Sequence, residues 1–170
     1  MTDKGVGVIN NKKELKLLRK KVALFDFKKH TKKDIDALLK KMRTIMHESY
    51  GVGLSANQIG IDMHVFVAHV EGKFYAVFNS ALTKISDDAV TFEEGCLSVP
   101  EVFGAVARPD KVTLEGYDKS GKKIKIRAWG LLARVFQHEI DHLNGTVFID
   151  KATDLYTYAS ALNNQKSNDK

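Results

Sequence analysis

Apolar residues along this chain switch between two spacings, and the switches divide it into elements. From residue 31 to residue 48, Ile35, Leu38, Leu39, Met42, Ile45 and Met46 recur every three or four positions, which puts them on one face of a helix. Thr31 and Asp34 stand at its start with capping-box spacing. Gly51 follows its end, where a glycine is expected to take up the left-handed backbone that closes a helix. Before it, residues 11–21 predict a shorter basic helix with Leu15, Leu17 and Leu18 as apolar positions. After Gly60 the pattern changes to β-branched and aromatic runs. Residues 63–70 and 73–79 flank Glu71-Gly72 and predict a hairpin, residues 89–92 predict another strand, and residues 111–118 and 122–129 alternate around Lys119-Ser120-Gly121. Pro100 is expected to stop regular pairing. The helical period returns over residues 130–143, with Asn144-Gly145 as its stop, and a last helix is predicted over residues 153–162. Residues 163–170 are polar and read as a frayed tail. Helices, then antiparallel strands, then helix argue for a single α+β domain over residues 1–170, with no internal repeat or linker.

Composition narrows the class. The chain has 170 residues, 44% of them hydrophobic, enough for one sizeable core and short for two. Its net charge of +6 comes largely from a lysine-rich stretch between Lys4 and Lys41. That stretch reads as solvated helix faces in preference to a nucleic-acid surface, because no aromatic recognition motif accompanies it. A single cysteine, Cys96, excludes a disulfide scaffold. Residues 1–10 lack the apolar core of a signal peptide, and no 18-residue apolar run occurs. The expectation is a soluble, cytoplasmic protein with no membrane partner and no stable nucleic-acid partner.

The chemistry is concentrated in three short segments. Gln137-His138-Glu139-Ile140-Asp141-His142 holds the pattern His-Glu-x-x-His. Four residues apart on a helix, the two imidazoles share a face and can reach one metal ion. Glu139 then points beside the metal, where a base for an activated water belongs. Asp141 reads as a solvated carboxylate in preference to an acceptor that orients a ligand. A catalytic metal site wants a third protein ligand, and Cys96 is the leading candidate. Alone it is ordinarily a small buried hydrophobe, but it sits in Glu93-Glu94-Gly95-Cys96-Leu97-Ser98-Val99-Pro100, where Gly95 admits a close ligand and the following amide can face an oxyanion. Gly51-Val52-Gly53-Leu54-Ser55-Ala56-Asn57-Gln58 is a second small-residue loop. It lacks the spacing of a phosphate-binding loop and is read as close backbone approach to an extended substrate, with Gln58 as a neutral donor.

Taken together, residues 51–58, 94–98 and 137–143 resemble the three signature stretches of peptide deformylases, in the same order and with similar spacing. The resemblance runs over residues 34–150. It implies antiparallel strands wrapped around a central His-Glu-x-x-His helix, with N-terminal helices and a C-terminal helix. It implies a metallo-amidohydrolase that removes the formyl group from the formyl-methionine of newly made polypeptides and releases formate. It also implies roles. Cys96, His138 and His142 would hold one divalent metal, with Fe2+ favoured natively and Zn2+, Ni2+ or Co2+ also accommodated. Glu139 would be the general base and acid, and Gln58 with the Leu97 amide would stabilise the oxyanion. Val52, Gly53 and Gly95 would lie along the substrate backbone, with Val52, Glu94, Leu131, Val135 and His138 around the methionine side chain. The partners implied are N-formyl-methionyl peptides as nascent chains, with transient ribosome contact. The chain departs from the family in three places. The N-terminal stretch Asn10-Asn11-Lys12-Lys13-Glu14-Leu15 has no proline where the family commonly has one, Ser55 stands where alanine is common, and no long insertion separates Gln58 from Cys96. Rival readings are a metallopeptidase, whose third ligand usually lies downstream of the helix, a closed structural zinc site, which would want four ligands, and a basic RNA- or ribosome-binding module.

Overall fold

The structure is a computed structural model and describes residues 5–159. Among the described residues three α-helices are complete: α1 (Lys12–Leu18), α2 (Lys32–Glu48) and α3 (Gly130–Leu143). The strands are β1 (Gly53–Ser55), β2 (Val65–Val70), β3 (Lys73–Ile85), β4 (Ala89–Cys96), β5 (Val99–Pro109), β6 (Lys111–Tyr117), β7 (Lys123–Trp129) and β8 (Thr153–Thr157). They form a five-stranded sheet in the order β1-β2-β3-β6-β7 and a three-stranded sheet in the order β4-β5-β8, antiparallel throughout.

The larger sheet is covered on both faces. Along β2, Val65 and Val67 pack with Ile35, Leu39, Met42 and Met46 of α2, while Phe66 and Ala68 pack with Ala133, Phe136, Ile140 and Leu143 of α3. The two-residue alternation of a strand thus feeds two helices, one on each side. This is why β2 is nearly continuously apolar and buried. A third cluster, Val99, Val106, Val147 and Phe148, closes the smaller sheet. α3 touches strands of both sheets, so it is the central element on which they are assembled.

Helix ends follow the sequence closely, with one exception. The Thr31–Asp34 capping box forms, with Asp34 N donating to Thr31 Oγ at 3.2 Å and Thr31 N donating to Asp34 Oδ2 at 2.8 Å. At the other end of α2 the left-handed residue is Tyr50 (φ 56°), not Gly51. Tyr50 N bonds His47 O and Gly51 N bonds Met46 O, which makes a Schellman closure with a tyrosine in the strained position. Gly51 is small for another reason, since a Cβ there would lie 2.8 Å from Leu97 Cδ1. Gly145 does close α3 in the left-handed conformation (φ 82°).

Two expectations are corrected, and one, at Pro100, holds inside a longer strand. The helix predicted over residues 153–162 does not begin there. Residues 153–157 are β8, which pairs Thr157 with Val102 and Tyr156 with Phe103; helix begins only at Tyr158, and residues 160–170, with the polar tail, lie outside the described residues. Thr153, Tyr156 and Thr157 favour a strand, Asp154 is left-handed (φ 52°), and β5 offers an edge to pair with. Pro100 does break the regular pairing of β5 with β4, whose register jumps from Gly95–Phe103 to Cys96–Val99 across it, but the strand itself continues through Pro100 to Pro109. The strand predicted to end at Asn79 continues to Ile85 across a register shift, where Asn79 (φ 48°) turns its amide onto the Phe25 backbone as both donor and acceptor.

Candidate active site

Four segments converge on one face of α3. The helix supplies His138, Glu139 and His142. The end of β4 supplies Glu94, Gly95 and Cys96. β1 and the 3-10 turn Ala56–Ile59 supply Ser55 and Gln58. The N-terminal strand-like segment ties two of these together, since Gly7 N donates to Gln58 O at 2.6 Å and Ile9 N donates to Ser98 O at 3.0 Å.

Cys96 Sγ lies 3.1 Å from His142 Nε2, which lies 3.2 Å from His138 Nε2. All three atoms fall within 4.8 Å of one another. A tetrahedral ion with ordinary zinc–nitrogen and zinc–sulfur lengths spaces its donors by about 3.3–3.6 Å, so the Cys96–His142 and His142–His138 spacings are within a few tenths of an ångström of what one needs. The surroundings fit as well. His138 Nδ1 meets the buried carboxylate of Glu94 at 3.0 Å, which fixes the ring and leaves Nε2 for a metal. Burial pushes the Cys96 thiol up, but the facing His142 and His138 outweigh it and hold the thiol well below the ordinary range. Burial likewise pulls His138 down, and the Cys96 and Glu94 partners overcome it, raising the imidazole to about 10. A divalent metal bound here would take the place of the proton on His138 and compensate the thiolate with its own charge. Among the described residues no fourth ligating side chain joins the three, so the site has the open position of a catalytic centre.

Glu139 is the buried carboxylate beside this cluster, 3% exposed. Burial raises its pKa, partly offset by His138 and His142. Ser55 Oγ is 2.7 Å from its Oε2 and 2.9 Å from its main-chain oxygen. Its Oε1 lies over Gly53, where a Cβ would stand only 2.3 Å away. Ser55 N also donates to Gln58 Oε1 at 2.8 Å, which turns the Gln58 amide nitrogen toward Ser98 Oγ (3.1 Å) and Cys96 Sγ (3.8 Å). A cavity of about 470 Å³ opens over these groups. Val52, Gly53, Gln58, Glu94, Gly95, Cys96, Leu97, Leu131, Val135, His138 and Glu139 all line it.

A sequence model of the family described as polypeptide deformylase matches residues 8–157. The chain belongs to this family. It is 42% identical over 115 residues to the peptide deformylase of Treponema pallidum, covering 68% of this chain and 71% of that protein. It is 44% identical over 122 residues to that of Carboxydothermus hydrogenoformans, covering 72% and 80%. The crystal structure of peptide deformylase from Thermotoga maritima superposes with a TM-score of 0.79 at 32% identity, covering 87% of this chain and 96% of that one.

As a deformylase-family chain, it brings every residue singled out in the sequence to one place, with His142 just beneath the cavity wall. Sequence reasoning missed four groups. Ser55 was noted only as a small change. Ser98 Oγ holds Gln58. Arg108 grips Glu94 with Nε (2.6 Å) and Nη2 (2.9 Å), and its Nη1 reaches Asp141 at 2.8 Å. Asp141 is therefore not merely solvated, since it also takes Lys151 Nζ at 2.6 Å. Arg134 adds a further bond to Glu94 at 2.6 Å. With Arg108 and His138 on it, Glu94 stays ionised down to about 2 although burial opposes this. Arg108 stands where the family that the sequence resembles frequently has an arginine, and that match is the one signal the sequence offers for this network.

Proposed function

We propose that this chain removes the formyl group from N-formyl-methionyl peptides, releasing formate, at a divalent metal held by Cys96, His138 and His142. The observation that carries the reading is the convergence on one cavity of a three-donor cluster with an open position, a buried carboxylate and a neutral amide donor. When bound, the cation supplies Lewis acidity to a water and to the formyl oxygen. Glu139 is the proton carrier. Its Oε2 is occupied by Ser55, so Oε1 takes the proton from the attacking water and returns it to the leaving amine. Its raised pKa suits both steps. Gln58 Nε2 and the Leu97 amide face the oxygen on which negative charge develops, an arrangement whose single donors are typically worth about 10²–10³ in rate.

The substrate backbone has a place to bind. β1 and β4 are edges of their sheets, and Val52, Gly53 and Gly95 lie along those edges on the cavity. An extended peptide between them adds a strand. Its first side chain enters between Val52, Glu94, Leu131, Val135 and His138. The mixed thiolate–imidazole donor set suits Fe2+, Zn2+, Ni2+ or Co2+, and the family resemblance favours Fe2+. The described chain has no helix long and apolar enough to cross a membrane. With nascent chains as substrates, we place the enzyme in the cytoplasm in transient contact with ribosomes. The test is formate release from formyl-Met-Ala-Ser by purified protein. Activity is expected to vanish with a chelator and return with Fe2+. Glu139→Ala is expected to keep its metal and lose at least 10³ in kcat. Undiminished activity in Glu139→Ala with metal bound, or cleavage of internal peptide bonds instead, contradicts the reading.

A further inference from the structure

Arg134 stands where two cavities meet. The cavity over the site and a second of about 370 Å³ share Glu93, Leu131 and Arg134 in their walls. The second is bounded further by Val90, Phe92 and Pro109. Nothing in the reaction above uses it.

The Arg134 guanidinium is fastened on several sides. Nη1 donates to Glu94 Oε1 at 2.6 Å and to Val106 O at 3.0 Å. Nη2 donates to Val90 O at 2.6 Å. Its central carbon lies 5.2 Å from the centre of the Phe92 ring. The side chain is only 11% exposed. A planar fork tied to three acceptors on β4 and β5 and stacked on a ring does not rotate aside as an aliphatic chain would. Leu131, one turn earlier on α3, completes the shared wall.

We propose that Arg134 is the specificity-determining wall of the pocket that receives the first side chain. It shuts the pocket off from the second cavity and so sets the length of side chain accepted. This rests on the reading that the formylated residue's side chain enters beside Leu131 and Val135. The second cavity is then an unused extension of that pocket; Val90, Phe92, Pro109 and Leu131 give it apolar surface for the tail of a longer thioether or alkyl chain, with Glu93, Arg108 and Asp110 also in its wall. Glu94 does not depend on Arg134 alone. Arg108 holds the same carboxylate with two bonds, so truncating Arg134 opens the wall without leaving Glu94 bare.

The experiment compares kcat/KM for formate release from formyl-Met-Ala-Ser and from the same peptide with S-pentylhomocysteine in place of methionine. That change keeps the thioether and adds four methylenes. The ratio of the two values cancels any loss of active enzyme. The wild type is expected to favour methionine. Arg134→Ala is expected to shift the ratio toward the longer chain by roughly tenfold or more, because even one extra buried methylene is worth several-fold. Arg134→Met, which refills part of the wall with a chain that can rotate aside, is expected to fall between Arg134→Ala and the wild type. If Arg134→Ala does not fold, Leu131→Ala thins the same wall at an exposed position and must move the ratio in the same direction. A ratio within twofold of wild type in a folded Arg134→Ala overturns the proposal. Equal shifts in Arg134→Ala and Arg134→Met overturn it too, because they would assign the effect to charge. A wild type that releases no formate from formyl-Met-Ala-Ser overturns the functional reading instead.

Discussion

Glu139 has almost no room to move. Ser55 holds one carboxylate oxygen and the main-chain oxygen of the same residue, and the other carboxylate oxygen rests on the bare Cα of Gly53. Gly53 has an ordinary φ, so the need for glycine there is steric and not conformational. A Cβ would sit 2.3 Å from Oε1, and the carboxylate would have to swing away from the cavity. Gly53→Ala is therefore expected to lower kcat by about 10²-fold, the usual scale for misplacing a catalytic group by about an ångström. Metal content should be unchanged, since neither Cys96 nor the imidazoles touch Gly53. Steady-state kinetics with elemental analysis checks this, and a metal-replete Gly53→Ala enzyme with wild-type kcat would refute the steric argument.

At the scale of elements, local signals were legible and distant pairings were not. The start of α2 was readable because Thr31 and Asp34 are three residues apart and satisfy one another. The two candidate metal-ligand histidines were readable because their spacing is one helical turn. β5 was hidden. Pro100 argued against a strand, and Glu101 is left-handed (φ 62°) at its start. β8 was hidden too, because it depends on a partner some fifty residues upstream. Arg134 was invisible for the same reason: its acceptors lie 28–44 residues away in sequence, and on α3 it only interrupts an apolar face. The capping box gives a prediction of its own. Thr31→Ala removes one cap and is expected to lower Tm by about 2–4 °C at neutral pH. The Thr31 hydroxyl and backbone amide hold the Asp34 carboxyl below its ordinary value. A depressed folded value means the contribution is present above the unfolded value near 3.8 and is lost as pH falls through the folded one. The gap in Tm between wild type and variant should accordingly be widest near neutrality and close in acid. A gap that widens below pH 4 would show that the cap works by some other route.

For the whole molecule, the question is whether the fold needs its metal. The proposed ligands come from β4 and α3, elements already joined by the Glu94 network and by the packing of both sheets on α3. The core clusters contain thirteen, twelve and four buried residues; neither imidazole belongs to them, and Cys96 only packs against the smallest. Without an ion, Cys96 Sγ, His142 Nε2 and His138 Nε2 still lie in contact, and the lowered Cys96 thiol faces the raised His138 imidazole, so the cluster does not burst open. This differs from a small zinc module, where the metal supplies the folding free energy outright. The chelated protein is therefore expected to stay folded and to melt cooperatively. Binding to the folded state alone adds about 2.7 kcal/mol at a free metal concentration 100 times Kd, or roughly 5–10 °C for a domain of this size. A titration of Tm against free Fe2+ or Zn2+ under anaerobic conditions should rise with the logarithm of concentration, and Cys96→Ser should flatten that slope. Global unfolding on chelation would place this chain with the metal-stapled folds instead, and a Tm indifferent to metal while activity returns would separate the stabilising site from the catalytic one.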